Sequence, residues 1–159
     1  MKRYAELVII LVTAVALLVG ASPQASAAVK MPVAPIWNAC AVWASQDKIV
    51  RKYSGATLTC GKQKDYGYRH LVYRHKDQFQ AAAAPFLTSR TWRDLTDFVL
   101  EWTPKDPDRA TYAGGKWCYD RQFYLANSHG NQVLVQRFIV ILNSKRQVIT
   151  AYPSGNKRC

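Results

Sequence analysis

The hydrophobic positions of this chain change period once. In its first two thirds they recur at helical spacing. Ile36, Trp37, Cys40, Ala41, Ala44, Ile49 and Val50 predict an amphipathic helix over Ile36–Tyr53 with basic residues clustered at its end. Gly55 and Gly61 break the chain around Cys60, and Tyr66–Phe79 reads as a second helix through Tyr66, Leu71, Val72, Tyr73 and Phe79. Pro85 closes the alanine run that follows. A third helix is marked by Trp92, Leu95, Phe98, Val99 and Trp102, with Thr88 or Ser89 as its cap and Thr103–Pro107 as its end.

Beyond Pro107 the pattern turns to strands. Lys116–Ala126, Gln132–Leu142 and Gln147–Tyr152 are rich in aromatic and β-branched residues, and Asn127–Asn131 and Asn143–Arg146 read as hairpin connections between them. Helices first and a meander afterwards predict an α+β domain over residues 36–159. Its N-terminal helices pack on one face of a small antiparallel sheet of three to four strands, leaving the other face free for a ligand. Residues 28–35, with two prolines and no period, read as a loose arm.

The N-terminus changes the compartment. Lys2 and Arg3, the 13-residue apolar run Leu7–Val19 and Ala25-Ser26-Ala27 match the three parts of a secretory signal peptide over residues 1–27. As a helix that run spans only about 20 Å, short of the roughly 30 Å a bilayer core demands. The mature chain has no other candidate transmembrane segment and is expected to be secreted. Cys40, Cys60, Cys118 and Cys159 then predict two disulfides, for which three pairings exist. Cys40–Cys60 and Cys118–Cys159 are preferred, the first closing a local loop and the second tying the terminus to a strand. Zinc is the weaker use, since no C-x-x-C pair is present.

Charge narrows the partners. The chain has 22 Lys and Arg against 10 Asp and Glu, and losing Lys2, Arg3 and Glu6 with the leader takes the net charge from +12 to +11. Such a surface favours phosphate backbones, anionic lipids or anionic wall polymers. The cations are dispersed through apparent folded elements, which argues against membrane disruption by one amphipathic helix.

Candidate chemistry gathers in Tyr66–Lys76, which holds His70 and His75 among Arg69, Arg74 and Lys76. Histidine transfers protons near neutral pH, and cations stabilise phosphorane charge. A spacing of five places the two histidines about 140° apart on a helix, so one primary proton-transfer group is expected. His70, sharing a face with Arg74, is preferred. His75 then fixes a tautomer or binds phosphate. No Glu is adjacent to the pair, and Glu101 is the one glutamate after the leader, so metal or cofactor chemistry is not expected. On the last strand Val148, Thr150 and Tyr152 share a face, offering two hydroxyls on the free side of the sheet. Arg137 interrupts an apolar run and needs a partner or a ligand. Arg121, beside Asp120, is a weaker case. His129 reads as a solvated turn residue, and Trp92 and Trp102 as core.

The stretch Gly67-Tyr68-Arg69-His70, the following His75-Lys76 and the terminal Val148-Ile149-Thr150-Ala151-Tyr152-Pro153 resemble secreted bacterial RNase toxins of the barnase, EndoU, colicin and RelE-type fold. The resemblance spans roughly Cys60–Pro153. It implies metal-independent cleavage of RNA, tRNA included, to a cyclic phosphate end, and a proteinaceous inhibitor or immunity partner in the producing cell. It also implies His70 as the leading acid–base group, with Arg137, Thr150 and Tyr152 around the phosphate, and with either His75 recruited as base or the 2′-hydroxyl activated by other means. The barnase-like catalytic glutamate is missing, which leaves the general base unassigned. The basic side chains of Arg69, Arg74, Lys76 and Arg121 are the candidates for binding substrate. The competing expectation is a secreted, cationic, disulfide-stapled binding or inhibitor protein without catalysis.

Overall fold

A computed structural model describes residues 29–86, 90–127 and 129–159. The leader read over residues 1–27 lies outside them, as do Thr88 and Ser89. In chain order the elements are β1 (Val29–Lys30), β2 (Ile49–Lys52), β3 (Thr57–Thr59), α1 (Gly67–Ala83), a short 3₁₀ turn (Ala84–Phe86), α2 (Trp92–Lys105), β4 (Arg109–Ala113), β5 (Lys116–Ala126), β6 (Gln132–Asn143) and β7 (Val148–Pro153). Strands β5, β6 and β7 form the antiparallel meander, β4 pairs antiparallel with the first half of β5, and β1 pairs parallel with its end. The fold is α+β.

Alternation along β6 explains how the layers join. Phe138, Val140 and Leu142 are fully buried on the helix side. Phe79 of α1 stacks on Phe138 with ring centroids 5.8 Å apart, and Phe98 of α2 meets Phe123 of β5 at 5.0 Å. Both disulfides have the expected pairing, Cys40–Cys60 and Cys118–Cys159.

Several expectations are corrected. The segment Ile36–Tyr53 is not helical. It runs as loop and turn into β2, which pairs with β3. Long-range bonds override the helical spacing here: Asn38 N–H donates to the Val50 carbonyl and Cys60 N–H to the Lys48 carbonyl, beside the Cys40–Cys60 bond. The arm is not loose, because β1 joins the sheet, Met31 is buried, and Ala34 N–H donates to Asp94. Helix α2 is capped by Thr91, whose side chain and N–H both reach the Asp94 carboxylate. Pro104 lies inside the last turn of α2 and does not end it. Trp102 is partly exposed, with Lys105 Nζ 4.5 Å from its ring centre. The short, wholly surface-lying strand β4 was not expected at all.

The face opposite the helices is not free. A bulge between Ile141 and Leu142 sets Leu142 against Val148 and Ile141 against Thr150. Val148 therefore turns to the helix side, away from Thr150. Ile139 and Thr150 are buried on the far side, where Cys159 is bonded to Cys118 and its N–H donates to Asp120.

Candidate active site

Helix α1 starts where two glycines let the chain turn back on itself. Gly61 and Gly67 adopt φ of 61° and 79°. A Cβ on Gly61 would sit 1.9 Å from the Tyr66 carbonyl oxygen, and one on Gly67 would sit 2.7 Å from that of Thr59. The close approach is open only to glycine. It seats the first turn of α1 on Cys60, whose carbonyl accepts Arg69 N–H at 3.0 Å. His70 is thereby fixed near the start of the helix and His75 farther along it, beside β7.

The two histidines converge despite their sequence spacing. Their ring centroids are 5.5 Å apart in an edge arrangement, and the His75 ring stacks on Tyr152 of β7 at 5.3 Å with 24° between planes. Side-chain torsions bring together what the helical angle alone holds apart. Tyr152 thus meets α1 at the sheet edge and does not stand on a free face. Thr150 lies two residues before it, buried, with an Oγ1 that has no hydrogen-bond partner among the described residues. His70 Nδ1 is likewise buried without a partner. Unspent polar capacity of this kind is costly unless something arrives to use it.

His75 is in hydrogen-bond contact with Gln78. Its Nδ1 lies 2.9 Å from Gln78 Oε1, one helical turn on. In the tautomer with its proton on Nδ1, that nitrogen donates to the amide oxygen and Nε2 keeps its lone pair. Burial lowers the His75 pKa from its ordinary 6.5; the Gln78 bond opposes this in part, while the charges of His70 and Arg74 reinforce it. A half-buried imidazole whose neutral form is favoured can serve as a general base. Sequence reading missed Gln78, although a polar residue three positions after a helical histidine is a readable signal.

The remaining candidates divide. Arg74 acts electrostatically on His75 and lies 5.8 Å from the centre of the Tyr73 ring. Arg69 is spent elsewhere: its guanidinium donates to the carbonyls of Gly61, Ala41 and Ala44 at 2.7–2.9 Å, with Val42 at 3.3 Å. Arg69 and Lys76 line a groove of about 780 Å³ with Val42, Tyr68 and Tyr73, which includes neither histidine. Arg137 is buried and bonded to Asp120, to Asp108 at 2.8 Å and to Gln122 at 3.2 Å. Its need for a partner is met within the protein. Arg121 pairs with Asp106 at 2.8 Å and lies over Phe123. It lines a second cleft of about 460 Å³ with Arg137 and Arg158. His129 is exposed. No group of three or more His, Cys, Asp or Glu side chains suited to a metal occurs among the described residues.

The fold and this cluster define an α+β, disulfide-stapled protein with an imidazole pair at a helix–sheet edge. No family model, curated protein or solved structure matches the chain.

Proposed function

We propose that the protein is a metal-independent endoribonuclease that works outside the cell that makes it. The observation that carries this reading is the contact series His70, His75 and Tyr152, in which His70 Nδ1 is buried without a partner among the described residues. In the proposed reaction His75 Nε2 takes the proton of a ribose 2′-hydroxyl, and that oxygen attacks the adjacent phosphorus. The P–O5′ bond breaks, and protonated His70 returns a proton to the leaving oxygen. A 2′,3′-cyclic phosphate and a free 5′-hydroxyl result, so protons and electrons balance without a cofactor. The Tyr152 hydroxyl and the charge of Arg74 serve the phosphorane oxygens, while Thr150, buried on the far side of the sheet, stays outside the reacting centre. This assigns the base to His75 and the acid to His70, the reverse of the emphasis that spacing suggested. Arg69, Lys76, Arg121 and Arg137 leave the reacting centre and keep structural or surface roles.

The two disulfides suit an oxidising compartment, and no helix among the described residues is long and apolar enough to cross a membrane. Export as an antibacterial toxin, with RNA of a competitor as substrate and an inhibitor in the producer, is the biological setting that accords with this chemistry and with the net charge.

The test is cleavage of a single-stranded oligoribonucleotide by the oxidised protein in excess chelator. Products ending in cyclic phosphate, and no cut where a single 2′-deoxy residue replaces the nucleotide at the scission point, are expected. Intact RNA at stoichiometric protein overturns the reading and favours the binding protein without catalysis.

A further inference from the structure

The loop between the arm and β2 displays the most exposed large apolar side chains among the described residues: Ile36 at 99%, Val42 at 92% and Trp43 at 89%. Two adjacent side chains with so few neighbours form a protrusion, not the lip of a core. The backbone beneath them is nevertheless held firmly. Cys40 is bonded to Cys60, Ala44 N–H closes a turn onto the Ala41 carbonyl, and the Arg69 guanidinium gathers the carbonyls of Ala41, Val42 and Ala44. A buried-side clamp on an exposed apolar tip keeps the tip extended toward water. An unpinned loop would fold these side chains back.

The surroundings of the tip are cationic. Lys62 and Lys76 line the groove that Val42 borders, and Lys48, five residues after Trp43, and Lys64, two after Lys62, are exposed. Three acids accompany them: Asp47, Asp65 at 3.9 Å from Lys62, and Asp77 next to Lys76. The lysines outnumber the acids.

We infer that the Val42–Trp43 tip is a membrane-surface anchor that seats this protein on a bilayer bearing anionic lipid. Tryptophan is at its most favourable at the headgroup level, where its ring is buried and its N–H stays hydrated. Lysines around it meet the negative surface potential of the leaflet. Prior fixing of the loop removes the ordering cost of insertion. A protein partner is a poorer fit, since binding hot spots sit inside a ring of contacts that exclude water, and this tip stands clear of its own surface. The anchor lies on the Arg69 and Lys76 side of α1, away from the histidine pair, so its presence does not depend on the reading of the active site.

The oxidised protein is sedimented with sucrose-loaded vesicles of phosphatidylcholine containing phosphatidylglycerol, and with vesicles of phosphatidylcholine alone. Wild type is expected to partition onto the anionic vesicles with a blue shift of its tryptophan emission. Trp43→Ser is expected to lower that partition by about tenfold or more, the scale for burying one aromatic anchor, and Lys62→Gln with Lys64→Gln to weaken it in a salt-dependent manner. Quenching of wild-type fluorescence by brominated lipid checks insertion without any substitution. Wild type left in the supernatant overturns the inference and leaves the tip to a protein partner. Equal partition of Trp43→Ser, or no quenching by brominated lipid, overturns it as well.

Discussion

Two polar clusters sit on this sheet, and in the sequence they announce themselves alike, as titratable or charged side chains in apolar surroundings. Around Arg137 every demand is met internally: Asp120, Asp108 and Gln122 take its guanidinium, and Asp120 also accepts Cys159 N–H. Around His75 the demands are left open. His70 Nδ1, in the ring that meets His75, is buried without a partner among the described residues. A cluster that satisfies itself stabilises the fold, whereas one that holds polar capacity in reserve is equipped for a ligand. The difference lies in the hydrogen-bond inventory, not in charge or burial.

Removing Arg137 gives the largest effect and acts on stability alone. Arg137→Ala leaves Asp120 as an uncompensated buried charge, and the unfolding free energy is expected to fall by about 3–5 kcal/mol in urea titrations. The fraction that remains folded keeps its rate of RNA cleavage. A loss of rate with stability unchanged would break the division between the clusters.

His75→Ala should do the converse. Cleavage falls by about 10²-fold or more, while the urea midpoint moves little. Gln78→Leu sharpens the point, because it frees the His75 tautomer and lowers kcat without removing the ring. A smaller effect, about 1–3 kcal/mol on stability, is expected for Arg69→Ala, which strips charged donors from the loop carbonyls. Its kcat should stay at the wild-type value, in contrast to what a substrate-binding role would give.

The smallest effect is a pH dependence. Folded His75 binds its proton at a lower pH than the ordinary 6.5 of the unfolded chain. As pH falls through 6.5 the unfolded state gains protons first, so stability declines until the folded His75 protonates as well. His75→Gln should flatten that part of the decline between about pH 8 and pH 5. The acid limb of kcat/KM in wild type should correspondingly lie below the ordinary histidine range.

Much of the fold was legible because local signals and tertiary structure agree. The strand Lys116–Ala126 has strong β chemistry and matches β5, and the turn read over Asn143–Arg146 falls between the end of β6 at Asn143 and the start of β7 at Val148. Ile36–Tyr53 failed because its apolar spacing imitates a helix while its actual organisation comes from distant residues, Cys60 and Thr57–Thr59. Strand β4 has no buried position and so offers no period to detect. At the site, helical angles separate His70 from His75, and only side-chain torsions and β7 bring them together. Arg69 could not be told from a phosphate ligand, since nothing in a sequence shows that three distant carbonyls will claim a guanidinium.

The central claim is that His70 and His75 act as one unit on a single phosphodiester. It is tested most directly by the rate of cyclic phosphate formation in excess chelator for His70→Ala, His75→Ala and the double variant. Each single variant is expected to lose about 10²-fold or more, and the double variant to fall only slightly below the slower single one, as for groups that work together. Full multiplication of the two losses, or cleavage at close to the wild-type rate in the double variant, would contradict the account.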